Sequence, residues 1–324
     1  MPTERPRLST ARPRFDVAVI DLSTSVGSVE LVNPIMTAAG TAGHGTELGA
    51  YVDLSAVGAM VVKSLARFPW AGNPPLRVHG TAAGMINSVG LQGPGLEAWL
   101  RHELPDLVAA GATVVCSIWG RSVDDYRRAA EMLADAPAAV VAVEVNISCP
   151  NTEAGDEMFA HSAAMTSEVL AVTEPCGRPR WAKLSPNVGV VMLPEIARAA
   201  RDGGAEAVTL VNTYLGLVLD PVSGRPVLGG GGGGVSGPAI KPMAVRAVAD
   251  VRAACPDLPI IGVGGIAKVS DVVEFARVGA NAVQVGTATF ADPSLVGRLA
   301  TELSGWCDQH GVSRFRDLVD TAQF

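Results

Sequence analysis

Residues 258–287 read LPIIGVGGIAKVSDVVEFARVGANAVQVGT, and this stretch decides the fold. LPIIGVGG (258–265) is a short β-branched apolar run that ends in glycines. VSDVVEFARVG (269–279) carries apolar residues at helical spacing, and NAVQVGT (281–287) is a second short run, ending in Gly286 and Thr287. Two strands joined through a helix run parallel, because an antiparallel pair needs only a tight turn. Six more runs of the same kind precede the stretch: LVNPIMTAA (31–39), VGAMVVKS (57–64), ATVVCSI (112–118), VVAVEVNIS (140–148), RWAKLS (180–185) and AVTLVNT (207–213). Between them lie helically spaced segments such as VDDYRRAAEMLAD, LPEIARAARDGG and IKPMAVRAVADVRAAC, and PSLVGRLATELSGWCDQHG follows the last. Eight such units fit an α/β architecture, the (β/α)8 TIM barrel. Residues 1–14 read as a disordered lead-in and residues 15–324 as a single barrel domain.

Two insertions, 65–95 and 214–237, follow strands two and six. They therefore fall on the C-terminal face, where barrels build their sites. The second contains the glycine run 229–234, which reads either as a floppy hairpin tip or as the hinge of a loop that closes over a ligand.

Composition narrows the function. With 324 residues, 48% of them hydrophobic, the chain has material for a large core and is not a disordered polymer. A net charge of -7 argues against a nucleic-acid surface, which needs clustered Lys and Arg. Mean hydropathy is +0.29, yet no uninterrupted apolar run reaches the roughly 18 residues a membrane helix requires. The start, MPTERPRLSTARPR, has no apolar segment behind it, so no secretory signal is expected and the default compartment is the cytosol. Five scattered cysteines without a CxxC pair exclude a disulfide framework, a zinc ribbon and an iron-sulfur cluster held by this chain. The histidines show no metal-ligand spacing, so no metal site is expected.

Three constellations carry chemistry. Gly264 and Gly265 after strand seven, with Gly286 and Thr287 after strand eight, stand where barrels commonly bind phosphate through backbone N–H groups; the alternative is a pair of tight turns. Lys63, Asn87, Asn146, Asn151, Lys183, Asn212 and Thr213 all lie at or near strand C-termini and converge on one mouth. Amides offer both donors and acceptors and suit a flat ligand with carbonyl and N–H edges, while two lysines can hold a carboxylate or the electron-rich edge of a cofactor. Cys149, in NISCPN, is followed by Pro150 and a glycine-containing loop; at the mouth a thiol can serve as base or nucleophile, although most cysteines are small buried apolar residues.

Taken together, NPIMTAAG (33–40), Lys63, GNPP with Arg77, GMINSVGLQGPG (84–95), NISCPN (146–151), KLSPN (183–187), VNT (211–213), SGPAIKP (236–242), GVGGI (262–266) and VGTATF (285–290) resemble the class 1 dihydroorotate dehydrogenase family, and within it the B-type catalytic subunit. The resemblance implies an FMN-containing barrel that oxidises dihydroorotate to orotate in pyrimidine synthesis. It makes Cys149 the base at C5 of the substrate, with hydride passing from C6 to flavin N5. By the same similarity FMN meets Ala39, Gly40, Lys63, Ser64, Ser117, Asn146, Lys183, Val211, Gly237, Gly264, Gly265, Gly286 and Thr287. Substrate meets Lys63, Asn87, Ser88, Val89, Gly90, Leu91, Asn146, Asn151, Asn212 and Thr213. A homodimer is implied, as is a second subunit carrying FAD and a [2Fe-2S] cluster that passes electrons to NAD.

The chain departs from the family pattern at several positions. Ser117 replaces a usual asparagine with Trp119 two residues on, Asp156 and Ala160 occupy glycine positions in the loop after Cys149, Gly80 replaces a glutamate, and Ala42 or His44 replaces an aromatic residue. Besides a catalytically silent binding protein that retains FMN, two other readings accompany the first. One is a flavin enzyme acting on another dihydropyrimidine of the dihydrouracil type. The other is a flavin-free barrel lyase or isomerase that binds a phosphorylated substrate and uses Lys183 as a Schiff-base nucleophile.

Overall fold

The computed structural model describes residues 20–148, 150–151 and 157–324. Eight parallel strands form the central sheet: β1 (Ile35–Thr37), β2 (Met60–Val61), β3 (Val114–Ile118), β4 (Val140–Asn146), β5 (Arg180–Lys183), β6 (Ala207–Leu210), β7 (Ile260–Val263) and β8 (Ala282–Val285). Each strand pairs with its sequence neighbour, and β8 returns to β1 through Val285 and Thr37. A bridge between Met36 and Ala59 joins β1 to the start of β2 and closes the cylinder into a (β/α)8 barrel. The residues named as lead-in, 1–14, lie outside the described part of the chain.

The strands read as continuous apolar runs because both faces are covered. Outward residues such as Val143, Val145, Val208 and Ile260 belong to the core shared with the helices, whereas Met36, Val61, Val115, Ala142, Ala207 and Ile261 point into the barrel. Period-two alternation thus separates two cores. Low in the barrel, Trp181 fills the axis against the small side chains Ala59, Ala142, Ala207 and Ala282, the large-against-small packing a narrow cylinder needs. A short antiparallel hairpin, Thr24–Val26 with Val29–Leu31, contributes Val26, Val29 and Leu31 to the same cluster and stoppers this end.

Helices form where caps and periodicity agree. In Val123–Leu133 the Ser122 side chain accepts the amide of Asp125, and Tyr126, Ala129, Ala130 and Leu133 bury one face.

The two insertions meet at the opposite end. Val78–Thr81 and Gly84–Asn87 from the first pair with Gly233–Ser236 and Tyr214–Gly216 from the second, giving a four-stranded antiparallel sheet over the mouth. Gly233 and Gly234, the last two glycines of the run, are therefore paired within this sheet. A Cβ on Gly229 would sit 2.3 Å from the Pro74 carbonyl, on Gly233 2.4 Å from the Asn87 carbonyl, and on Gly234 2.0 Å from Thr213 Oγ1. Gly229 and Gly233 are bare because backbone lies against backbone there, and Gly234 because the Thr213 side chain fills the space.

Candidate active site

Under the four-stranded sheet the barrel mouth holds a cavity of about 830 Å³, toward the upper end of the 300–1,000 Å³ typical of ligand clefts. One end of it is built from the turns after β7 and β8. Gly264 (φ +132°) and Gly265 (φ +74°) adopt backbone conformations that L side chains rarely adopt, and a Cβ on Gly265 would lie 2.7 Å from Lys241 Cβ. Among the described residues the amides of Gly264, Gly265, Gly286 and Thr287 find no protein acceptor. The helix Lys241–Ala254 starts beside them, behind Gly237. Lys241 Nζ bonds Asp271 (2.8 Å) and Glu274 (2.6 Å), tying this helix to Val269–Arg277 and fixing the turn between. Free amides beside a helix start make an anion cradle.

The floor is polar. Above Trp181, alternation along the strands turns Glu144, Asn146, Lys183, Thr209, Gln284 and Ser117 inward, all buried. Asn146 and Lys183 stand opposite one another in the ladder. Asn146 Nδ2 donates to Ser64 Oγ (3.3 Å), its Oδ1 accepts from Asn212 Nδ2 (3.4 Å), and its carbonyl accepts the Tyr126 hydroxyl (2.7 Å). Lys183 Nζ lies 3.5 Å from Glu144 Oε1, a buried ion pair. Lys63 is more open. Burial, and secondarily the Arg77 guanidinium, bring its ammonium down to about 8.

Another part of the cavity lining is the turn after Gly84–Asn87. Gly90 (φ +71°) and Leu91 (φ +60°) are both left-handed, so successive amides turn toward one side, and those of Val89, Gly90 and Leu91 have no protein acceptor among the described residues. Asn73 and Arg77 hold the turn from behind: the Asn73 amide donates to the Val89 carbonyl (3.0 Å), its side chain to Ser88 Oγ (2.8 Å), and Arg77 Nε to the Asn73 carbonyl (2.7 Å). Trp70 Nε1 donates to the Gly90 carbonyl (3.0 Å). Asn187, in KLSPN, donates to the Thr213 carbonyl (3.1 Å) and accepts the Leu215 amide (3.0 Å), pinning the opposite wall.

The expected flavin residues other than Ser117, and the expected substrate residues other than Asn151, line this one cavity. Ser117 does not. It is fully buried and reaches the cavity only through Ser64, because the shorter side chain stops one atom layer behind the wall. Cys149 lies outside the described residues, and Asn151 is described only as backbone, paired with Glu157. Residues the sequence reading missed include Asn73, Asn187, Trp70 and Glu144. Asn73 and Asn187 were visible inside GNPP and KLSPN, where an amide flanking proline marks a side chain bonding its own turn.

A closed barrel with unpaired amides after its last two strands, and cations and amides around one cavity at its mouth, is the architecture of a barrel enzyme with its site at the C-terminal face. A family model described as dihydroorotate dehydrogenase matches residues 21–306. The chain is 44% identical over 304 residues, 94% of its length and 98% of the relative's, to the dihydroorotate dehydrogenase B (NAD(+)) catalytic subunit of Desulforudis audaxviator. It is 42% identical over 300 residues, 92% of the chain and 97% of the relative, to the protein of that name from a Geobacter species (strain M21). It is also 43% identical over 304 residues, 94% and 99%, to a putative dihydroorotate dehydrogenase A (fumarate) of Solibacter usitatus. The chain belongs to the dihydroorotate dehydrogenase family, a family of flavin-dependent oxidoreductases.

The described residues fit a flavin. The cradle offers unpaired amides to a phosphate, Lys183 has donor capacity left toward the cavity, and Ser148 Oγ in the wall is buried without a partner. No helix among the described residues is long and apolar enough to cross a membrane.

Proposed function

We propose that the chain oxidises dihydroorotate to orotate with FMN as its resident flavin. The observation that carries this reading is the presence, in one cavity, of an anion cradle at Gly264–Thr287 and of a second set of amides without acceptors among the described residues at Val89–Leu91, with Lys63 in the same lining. A phosphorylated cofactor and a separate carboxylate-bearing ring need that double arrangement. When bound, FMN supplies the two-electron acceptor for the hydride that leaves C6.

The residues then divide the work. The Gly264, Gly265, Gly286 and Thr287 amides hold the phosphate, and Lys183 and Asn146 face the ring. Lys63 with the Val89, Gly90 and Leu91 amides holds the substrate carboxylate, while Asn87, Asn146, Asn151, Asn212 and Thr213 bond the edges of its ring. Cys149, assigned from its place after β4, takes the C5 proton. The unit is residues 15–324, working in the cytosol as a homodimer.

The relatives bear two acceptor names, NAD(+) and fumarate, so likeness alone does not choose between them. The chain's own cysteines make no cluster pattern, so the NAD route requires a second subunit carrying FAD and a [2Fe-2S] cluster. An anaerobic absorbance spectrum before and after dihydroorotate tests the reading. A flavin band that bleaches supports it; a band that persists with dihydroorotate and bleaches with dihydrouracil replaces the substrate.

A further inference from the structure

Strand β4 carries one ionisable side chain in an otherwise apolar run. Glu144 is 0% exposed, yet it does not line the cavity. Its Oε2 accepts Gln284 Nε2 at 2.6 Å and Thr209 Oγ1 at 3.1 Å. Its Oε1 has no hydrogen-bond partner and faces Lys183 Nζ at 3.5 Å. Lys183 does line the cavity, and its polar contacts among the described residues are both long: Glu144 Oε1 and Gln284 Oε1, each 3.5 Å away. An ammonium has three donors, so the lysine keeps capacity for a ligand above it.

Such a pair is not a device for stability. Desolvating two charges offsets most of their attraction, and apolar replacements of similar volume are often neutral. What the pair does provide is a cation held on the barrel axis, with its counter-charge on the side away from the cavity. Gln284 grips both partners, through Nε2 and Oε1, and keeps the carboxylate below the ammonium.

We propose that Glu144 is a positioning residue that sets how much positive charge Lys183 presents to the cofactor ring, and so tunes how readily the ring accepts electrons. This rests on the flavin reading above. Reduction adds negative charge to the ring, so an uncompensated Lys183 favours it. Neutralising Glu144 therefore raises the reduction potential, and the effect passes through Lys183 alone.

The test uses the full chain reconstituted with FMN, as wild type, Glu144→Gln, Lys183→Met and the double variant. FMN binding is read by fluorescence, and the potential by anaerobic dye equilibration at pH 6, well below the ordinary lysine value of about 10.4. Glu144→Gln is expected to favour the reduced flavin by at least tenfold, about 30 mV for two electrons. Lys183→Met and the double variant are expected to share one potential. A Glu144→Gln potential equal to or below wild type overturns the inference, as does a double variant displaced from Lys183→Met. Should Glu144→Gln fail to fold, the comparison of the last two still decides, since the double variant leaves no unpaired buried charge. Wild-type chain that takes up no FMN overturns the proposed function and this inference with it; wild-type chain that binds FMN, with the potential unmoved in Glu144→Gln, overturns this inference only.

Discussion

The hydroxyls of Ser64 and Ser117 share a hydrogen bond of 2.8 Å behind the cavity wall. Ser64 also accepts Asn146 Nδ2, so Ser117 orients two residues that face the cavity without facing it itself. Ser117→Ala should cost about 1 kcal/mol and lower FMN affinity a few-fold, because Ser64 loses its fixed rotamer. Thermal melts with and without FMN check this: the loss should be larger with FMN present. Equal losses would mean a purely structural hydroxyl.

Lys63 predicts an alkaline limit. Its folded value, about 8, lies below the ordinary 10.5. Between those two values the unfolded chain binds the proton more firmly, so the folded state gains stability as pH rises through that window. Substrate holding runs the other way, because a carboxylate needs the ammonium. kcat/KM for dihydroorotate should therefore fall above about pH 8. Lys63→Met should abolish that limb and raise KM about tenfold or more, the scale of one charge-assisted hydrogen bond. It should also raise the melting temperature at pH 7, since a buried charge is removed. A pH profile of both variants settles the matter.

Cys149→Ala should separate binding from chemistry. The cradle amides at Gly264–Thr287 are untouched, so FMN should remain bound. Reduction by dihydroorotate should slow at least 100-fold, the usual scale for losing a general base. Stopped-flow bleaching at the wild-type rate would remove Cys149 from the role.

Two glycines of one run should behave oppositely. Gly231 has open space around its missing Cβ, so Gly231→Ala carries only the strain of φ +82°, about 1 kcal/mol. Gly234→Ala would drive a methyl into Thr213 Oγ1, 2.0 Å away, and move a residue of the substrate wall. KM for dihydroorotate should rise severalfold for Gly234→Ala and stay near wild type for Gly231→Ala. Similar KM values for the two would restore the floppy tip.

The barrel was legible because its information is local. Each strand announces itself by β-branched residues and a polar end, and the phosphate turns by glycines at those ends. The pairing of the two insertions was not legible. Register between Gly234 and Asn87 is decided by contacts 147 positions apart, and a string of glycines looks locally like slack. Glu144 did leave a signal: a lone acid in VVAVEVNIS, two residues before Asn146, which period two places on the same inward face. Ser117 is fully buried behind Ser64, a depth that sequence position along a strand does not give.

Trp181 and the Thr24–Leu31 hairpin seal the base of the barrel. What enters from the mouth must go back out the same way. On the proposed reading, orotate and any small oxidant would share that end of the barrel, whereas a docked protein relay could draw electrons off through the wall while the doorway stays busy. The plugged base thus makes the choice of oxidant a question of queueing.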